Sequence, residues 1–139
     1  MPGMSPSDID AYLQEEFPQV FVDARVSVAE AEAGRARLHL TPGRAHLRPG
    51  NTVSGPAIMM MADAAAYAAL LSLDSGAKMA VTSDLTIHFL RAAAPGAMLV
   101  QTANVIKAGR RISVIACETI DEQGRLLAHA TTGYAMPAA

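Results

Sequence analysis

The stretch Ser54-Gly55-Pro56-Ala57-Ile58-Met59-Met60-Met61-Ala62-Asp63-Ala64-Ala65-Ala66-Tyr67-Ala68-Ala69-Leu70-Leu71-Ser72-Leu73 decides the fold. It is alanine-rich and free of internal glycine, which favours a helix. Ser54 suits the N-cap, and Pro56 falls in the first turn, where its missing N–H costs nothing. Asp74-Ser75-Gly76 closes the helix at about Leu73. Apolar residues lie on every side, so the helix must be buried all round. Gly55 to Leu73 is nearly long enough to cross a bilayer. Its alanine content and its central carboxylate, which costs roughly 3 kcal/mol at mid-membrane, predict a core helix instead.

Outward from this helix the chain reads as amphipathic strands. Upstream, Arg25 to Ala33 alternates weakly and Gly34 breaks it. Arg35 to Thr41 alternates well, with Ala36, Leu38 and Leu40 opposite Arg35, Arg37 and His39. The pair reads as a hairpin. Arg44 to Val53 reads as a loop holding Pro49, Gly50 and Asn51. Downstream, Val81, Leu85, Ile87 and Phe89 alternate with Thr82, Asp84, Thr86 and His88, which predicts a strand with one polar face. Pro95-Gly96, Ala108-Gly109 and Asp121-Glu122-Gln123-Gly124 mark turns. They separate strands over Ala97 to Lys107, Arg111 to Ile120 and Arg125 to Met136. Ser7 to Phe17 reads as a short helix capped by Ser7, with Ile9, Tyr12, Leu13 and Phe17 on one face, and Pro18 ends it. The order is short helix, two strands, long apolar helix, four strands. Tight turns make the strands antiparallel. The expected fold is α+β: one domain over residues 1–139, its antiparallel sheet wrapped around the long helix, with residues 1–18 as an N-terminal helical extension.

Composition agrees with one globular core. The chain has 139 residues, 51% hydrophobic and 17% charged, with net charge −2. That balance gives no basic face for nucleic acid. The single cysteine, Cys117, allows no disulfide within the chain. Met1 to Asp10 has neither the basic start nor the apolar core of a signal peptide, so a cytoplasmic location is expected. His39, His46, His88 and His129 are scattered without metal-ligand spacing, and no metal is expected.

Asp63 is the only carboxylate between Arg48 and Asp74. Burying a carboxylate costs several kcal/mol unless it is bonded, so its place in an alanine-methionine helix needs a reason. One reason is chemistry, as a general base toward water or as a nucleophile. The other is structural, as a cap or an ion-pair partner. Asp63 stands one to two turns from the helix start. There the N–H of Gly55 can stabilise a developing oxyanion, though the glycine can equally serve a close approach of loop to sheet. Ser54 sits in no nucleophile elbow and reads first as a cap. Tyr67, one turn past Asp63, either lines a pocket or fills core.

The run His46-Leu47-Arg48-Pro49-Gly50-Asn51-Thr52-Val53-Ser54-Gly55-Pro56, followed by Met61-Ala62-Asp63, resembles the signature of the phenylacetate-pathway (PaaI-like) hotdog thioesterases. Thr82-Ser83-Asp84-Leu85-Thr86-Ile87-His88-Phe89-Leu90-Arg91, the Pro95-Gly96 turn and Ala108-Gly109-Arg110 extend the likeness. The resemblance covers roughly Arg35 to Tyr134 and implies a hotdog fold. It also implies an acyl-CoA thioesterase that needs no cofactor and assembles as a dimer or a dimer of dimers. In its terms Asp63 is the catalytic carboxylate, Gly55 the oxyanion donor, and Thr82 the residue that helps to place water. Because active sites of this family lie between subunits, Thr82 is expected to face Asp63 of the partner chain. Three positions depart from the family pattern. Ser54 replaces its histidine, Pro56 its second glycine, and Arg48 a polar Asn or Gln, for which Asn51 is the nearby substitute. In a CoA enzyme, Arg91, Lys107, Arg110 and Arg111, gathered at strand ends and turns, could hold the nucleotide phosphates.

The first functional expectation is therefore hydrolysis of an acyl-CoA thioester. The second is a hotdog protein that binds acyl-CoA or another ligand without turnover. A hydratase or dehydratase is a third reading, weakened by the lack of a histidine on the long helix.

Overall fold

A computed structural model describes residues 1–138. Helix α1 (Pro6–Glu16) is capped by Ser5, whose hydroxyl accepts the N–H of Asp8 at 3.2 Å. The cap thus lies two residues before the expected Ser7, and Pro6 takes the first helical position. Ile9 and Leu13 are fully buried and fix α1 to the body. A π-type turn, Gln19–Asp23, leads into strands β1 (Ser27–Glu32) and β2 (Arg35–Leu40). The expected loop after β2 has structure of its own: a 3-10 turn at Arg44–His46 and a small hairpin of β3 (Leu47–Arg48) and β4 (Thr52–Val53). Helix α2 (Gly55–Leu71) follows, then β5 (Val81–Phe89), β6 (Leu99–Lys107), β7 (Ile112–Ile120) and β8 (Leu126–Ala135).

Six strands form one antiparallel sheet in the order β1-β2-β6-β7-β8-β5. It curves around α2, which is the hotdog arrangement. Helix α2 ends at Leu71, two residues short of the expected stop, and the N–H of Met4 bonds the carbonyl of Leu71 there. No helix among the described residues is long and apolar enough to cross a membrane.

The alanines set how closely sheet and helix approach. Ala65, Ala66, Ala68 and Ala69 are fully buried, and the Cys117 thiol of β7 lies 3.6 Å from the carbonyl oxygen of Ala62. A branched side chain has no room at such a contact. We expect Ala65→Leu to destabilise the fold by about 1–3 kcal/mol through overpacking. A urea midpoint equal to that of the wild type would contradict this packing.

One irregularity in β5 matters for the site. The pairing of β5 with β8 slips between Thr82 and Asp84, leaving Ser83 as the extra residue of a bulge. Strict alternation would put Thr82 on the same face as Asp84, Thr86 and His88. The bulge shifts the phase, and Thr82 turns toward α2 together with Leu85, Ile87 and Phe89. The single polar face expected for this strand is therefore split at Ser83. Strand β5 is also an edge of the sheet, with Val81 62% and Phe89 50% exposed.

Candidate active site

Asp63 lies in the middle of α2 and reaches the edge of the sheet. Its Oδ1 accepts two short hydrogen bonds, from Thr82 Oγ1 at 2.7 Å and from the Tyr134 hydroxyl at 2.7 Å. Tyr134 also lies 2.9 Å from the main-chain carbonyl oxygen of Asp63. Thr82 and Tyr134 are directly paired across β5 and β8, so the two donors arrive side by side. Among the described residues no group donates to Oδ2. The expectation that Thr82 would serve Asp63 of a partner chain is corrected, because it bonds the carboxylate of its own chain.

Asp63 faces a cavity of about 310 Å³. Thr82, Tyr67 and Tyr134 form one wall, and Tyr12, Glu16 and Phe17 at the end of α1 form the other. The aromatic rings lock together. Tyr67 stacks on Tyr134 with centroids 6.3 Å apart and planes 12° apart, and Phe17 meets Tyr67 edge-on at 6.5 Å. The Tyr67 hydroxyl donates to the Lys78 carbonyl at 2.7 Å and so has no second proton to give. Tyr12, 3.0 Å away, must be the donor in its bond to Tyr67. Tyr67 lines the cavity and is also part of the buried core, so its two sequence readings coincide. Tyr12 and Phe17 were legible only as the inward face of a helix. Glu16 gave no signal at all, and Tyr134 was visible as a strand residue but not as a partner of Asp63.

The other candidates lie elsewhere. Ser54 is the N-cap of α2, its hydroxyl accepting the N–H of Ala57 at 3.2 Å. Gly55 begins the helix, and a Cβ there would sit 3.2 Å from the Phe89 ring. Its N–H has no partner within the helix. Asn51 (φ +63°) and Gly50 (φ +94°) form the turn of the β3–β4 hairpin, where Arg48 is exposed. None of these lines the cavity. Asp63 stands eight residues beyond Gly55. That is more than two turns, not one to two, and about 12 Å along the axis. The basic residues also separate. Arg91 follows the Phe89 end of β5, whereas Lys107, Arg110 and Arg111 lie at the β6–β7 turn, level with Val81 through the Val81–Ala135–Ile112 register. They form no single cluster within one chain.

His46, nearest the motif, is committed to structure. Its Nδ1 accepts the Gly43 N–H at 2.8 Å, so the proton sits on Nε2, which donates to the Ala24 carbonyl at 2.9 Å. Among the described residues no three His, Cys, Asp or Glu side chains form a metal-binding group.

With this geometry in view, comparison with known proteins is decisive at the family level. The thioesterase superfamily model matches residues 50–128. The chain belongs to the thioesterase superfamily. A relative from Archaeoglobus fulgidus, carried under the name "Putative esterase", is 28% identical over 107 residues, which cover 77% of this chain and 66% of that protein. Zebrafish thioesterase superfamily member 2 superposes with a TM-score of 0.87 over 97% of this chain and 100% of its own, at 20% identity. The Escherichia coli PaaI protein of the phenylacetic acid degradation operon gives 0.84 over 97% and 98%, at 24% identity. A Streptococcus pneumoniae hypothetical thioesterase, solved with coenzyme A, gives 0.82 over 90% and 97%, at 17% identity. These structural likenesses show the hotdog fold of the superfamily.

The buried acids around Asp63 carry a stability consequence. Burial, and then the carboxylate of Asp63, pushes the Cys117 thiol up to about 12. The Tyr134 phenol is raised by burial and next by Asp63, and the Tyr67 phenol by burial. Each group ionises more readily unfolded than folded. Stability from this source is whole below the ordinary thiol value of 9.0 and is lost as the pH rises past it and past the phenol value of 10.0. Each group that ionises first in the unfolded chain removes up to about 1.4 kcal/mol per pH unit. We expect the unfolding free energy of this thioesterase-superfamily chain, measured in urea, to drop steeply between about pH 9 and pH 11. A flat profile across that window would contradict the burial of these three groups.

Proposed function

We propose that the protein hydrolyses acyl-CoA thioesters to the free acid and CoA, as a homodimer whose sites are completed across the subunit boundary. The observation that carries this reading is the carboxylate of Asp63. One oxygen is held by two donors and the other is left open toward an aromatic cavity. In this reading Oδ2 takes a proton from water as it attacks the thioester carbonyl, or attacks that carbon itself to form a mixed anhydride that water then hydrolyses to the free acid. The acyl group occupies the cavity among Tyr12, Phe17 and Tyr67. The thiolate of CoA leaves, and no cofactor takes part.

The carbonyl oxygen needs a donor within about 3 Å. Gly55 of the same chain, about 12 Å from Asp63 along the helix, is out of reach. A second copy resolves this. Gly55 abuts Phe89 at one end of β5, and Asp63 bonds Thr82 at the other. If the open β5 edges of two copies pair antiparallel, the Phe89 end of one lies beside the Thr82 end of the other. Gly55 of the partner subunit then approaches Asp63, and two equivalent sites form. The same pairing brings Arg91 of the partner subunit toward Arg110 and Arg111, where the three can hold the CoA phosphates. Arg48, Asn51 and Ser54 of the partner subunit flank the thioester from the Gly55 side. It also covers the exposed Val81 and Phe89, a long edge that a solitary chain would leave open to nonspecific pairing. In this reading dimers stack in pairs through the outer face of the sheet, where the small side chains of Thr86, Thr131 and Ala116 lie in register.

Free-thiol release from a panel of short, medium and aryl acyl-CoA substrates tests the reaction. Turnover of at least one class is expected. CoA binding with no turnover across the panel would replace hydrolysis by ligand binding, and hydration of enoyl-CoA would favour the hydratase reading.

A further inference from the structure

We infer that Tyr134 is a positioning residue for the proposed hydrolysis, a fixed clamp that orients the Asp63 carboxylate so that Oδ2 alone meets the substrate. The inference rests on the reading of Asp63 as the reacting carboxylate and adds a residue to it.

Tyr134 is 4% exposed and sits on β8, an interior strand paired on both sides. Its ring is held by stacking on Tyr67, which is itself tied to the Lys78 carbonyl. The phenol oxygen therefore has little freedom. Its one proton lies between Asp63 Oδ1 at 2.7 Å and the Asp63 carbonyl oxygen at 2.9 Å. That carbonyl is within α2, where helix geometry already supplies the N–H of Tyr67 four residues on. It has no need of a second donor. The carboxylate does, because an aspartate otherwise rotates about its last bond and presents either oxygen.

Thr82 donates to the same Oδ1 but comes from the exposed edge strand. Two donors on one oxygen fix the plane of the carboxylate, and the one on the interior strand sets the direction. A reacting group gains most when packed neighbours fix its geometry, since a displacement of 1 Å costs about a hundredfold in rate. Burial, followed by the charge of Asp63, raises the Tyr134 phenol well above the ordinary range, so the donor keeps its proton at any working pH.

The test is Tyr134→Phe, which keeps the ring and its stack and removes one oxygen. The rate of thiol release at saturation should fall about 10- to 100-fold with KM unchanged. The same substitution added to Asp63→Asn should cost nothing further, because its whole effect passes through the carboxylate. A crystal structure of Tyr134→Phe should show Asp63 in more than one orientation, against one in the wild type. Wild-type kcat in Tyr134→Phe would overturn the inference, as would an equal loss in the Asp63→Asn background or a single unchanged Asp63 orientation. A wild type that turns over no acyl-CoA would sink the hydrolysis reading instead. The crystallographic comparison would then still decide whether Tyr134 holds the carboxylate.

Discussion

Asp63→Asn should lower thiol release about 10²- to 10⁴-fold, the range lost when a positioned general base is removed. The substitution is chosen for what it preserves. Asparagine has the same shape, and its amide oxygen can still accept from Thr82 and Tyr134 at the Oδ1 position. The amide nitrogen then occupies the open side toward the cavity. It cannot take a proton from water and cannot form an acyl intermediate. Folding and CoA binding should therefore survive while turnover collapses. Thiol release and CoA binding by calorimetry, on one preparation, separate the two. Retention of turnover within about threefold would remove Asp63 from the chemistry, because none of the roles assigned to a base or nucleophile survives that substitution.

The second large effect concerns assembly. Two variants, each inactive alone, should restore activity when mixed. Asp63→Asn disables the base. Gly55→Pro deletes the N–H of the first helical residue, where proline is tolerated; because Pro56 follows and disfavours a helical backbone at 55, circular dichroism of the variant is compared with the wild type before mixing. Ser54, just before it, has φ −71° and ψ 150°, the extended conformation that a following proline requires. The added Cβ meets Phe89 at 3.2 Å, so the phenyl ring must give by a few tenths of an ångström. If each site takes Asp63 from one chain and Gly55 from the other, a mixed dimer has one intact site and one doubly damaged site. Random exchange in an equal mixture then recovers about one quarter of wild-type activity, since half the dimers are mixed and each has one of two sites. No recovery after unfolding and joint refolding would mean that the two residues do not serve a shared site across subunits. The helical rise would then leave Gly55 without the oxyanion role altogether.

The parts of this molecule that periodicity controls were legible in the sequence. A helix apolar on all sides can only be a core helix, and the downstream alternation could only be strands, so α2 and β5 to β8 followed directly. The lone acid in α2 was legible for the same reason, as an exception to burial. What escaped lies in registers and irregularities. A bulge leaves no period-2 signature, so Thr82 was read as part of the wrong face. Tyr134 reaches Asp63 because three turns and the register shifts between the strands align β8 with β5, a sum that the sequence of neither strand contains. The cavity wall formed by Tyr12, Glu16 and Phe17 depends on where α1 docks, which its own amphipathic face leaves open. The separation of Gly55 from Asp63, by contrast, was simple arithmetic on the chain. The structure made it matter by showing Thr82 already at work on the aspartate of its own subunit.

The bulge at Ser83 gives the site a spare part. Two hydroxyl side chains, Thr82 and Ser83, stand next to each other where the register slips by one. The slip presents Thr82 to the carboxylate. Were β5 to run in regular alternation from Leu85, Ser83 would be the residue turned inward. Loss of the threonine hydroxyl alone would leave Ser83, whose hydroxyl now donates to Asp84 Oδ1 at 3.2 Å, as the nearest replacement, reached by sliding the irregularity along the strand. A modest defect in Thr82→Ala would testify to this redundancy and not to an idle hydroxyl, and only the change at both positions strips that donor from Asp63.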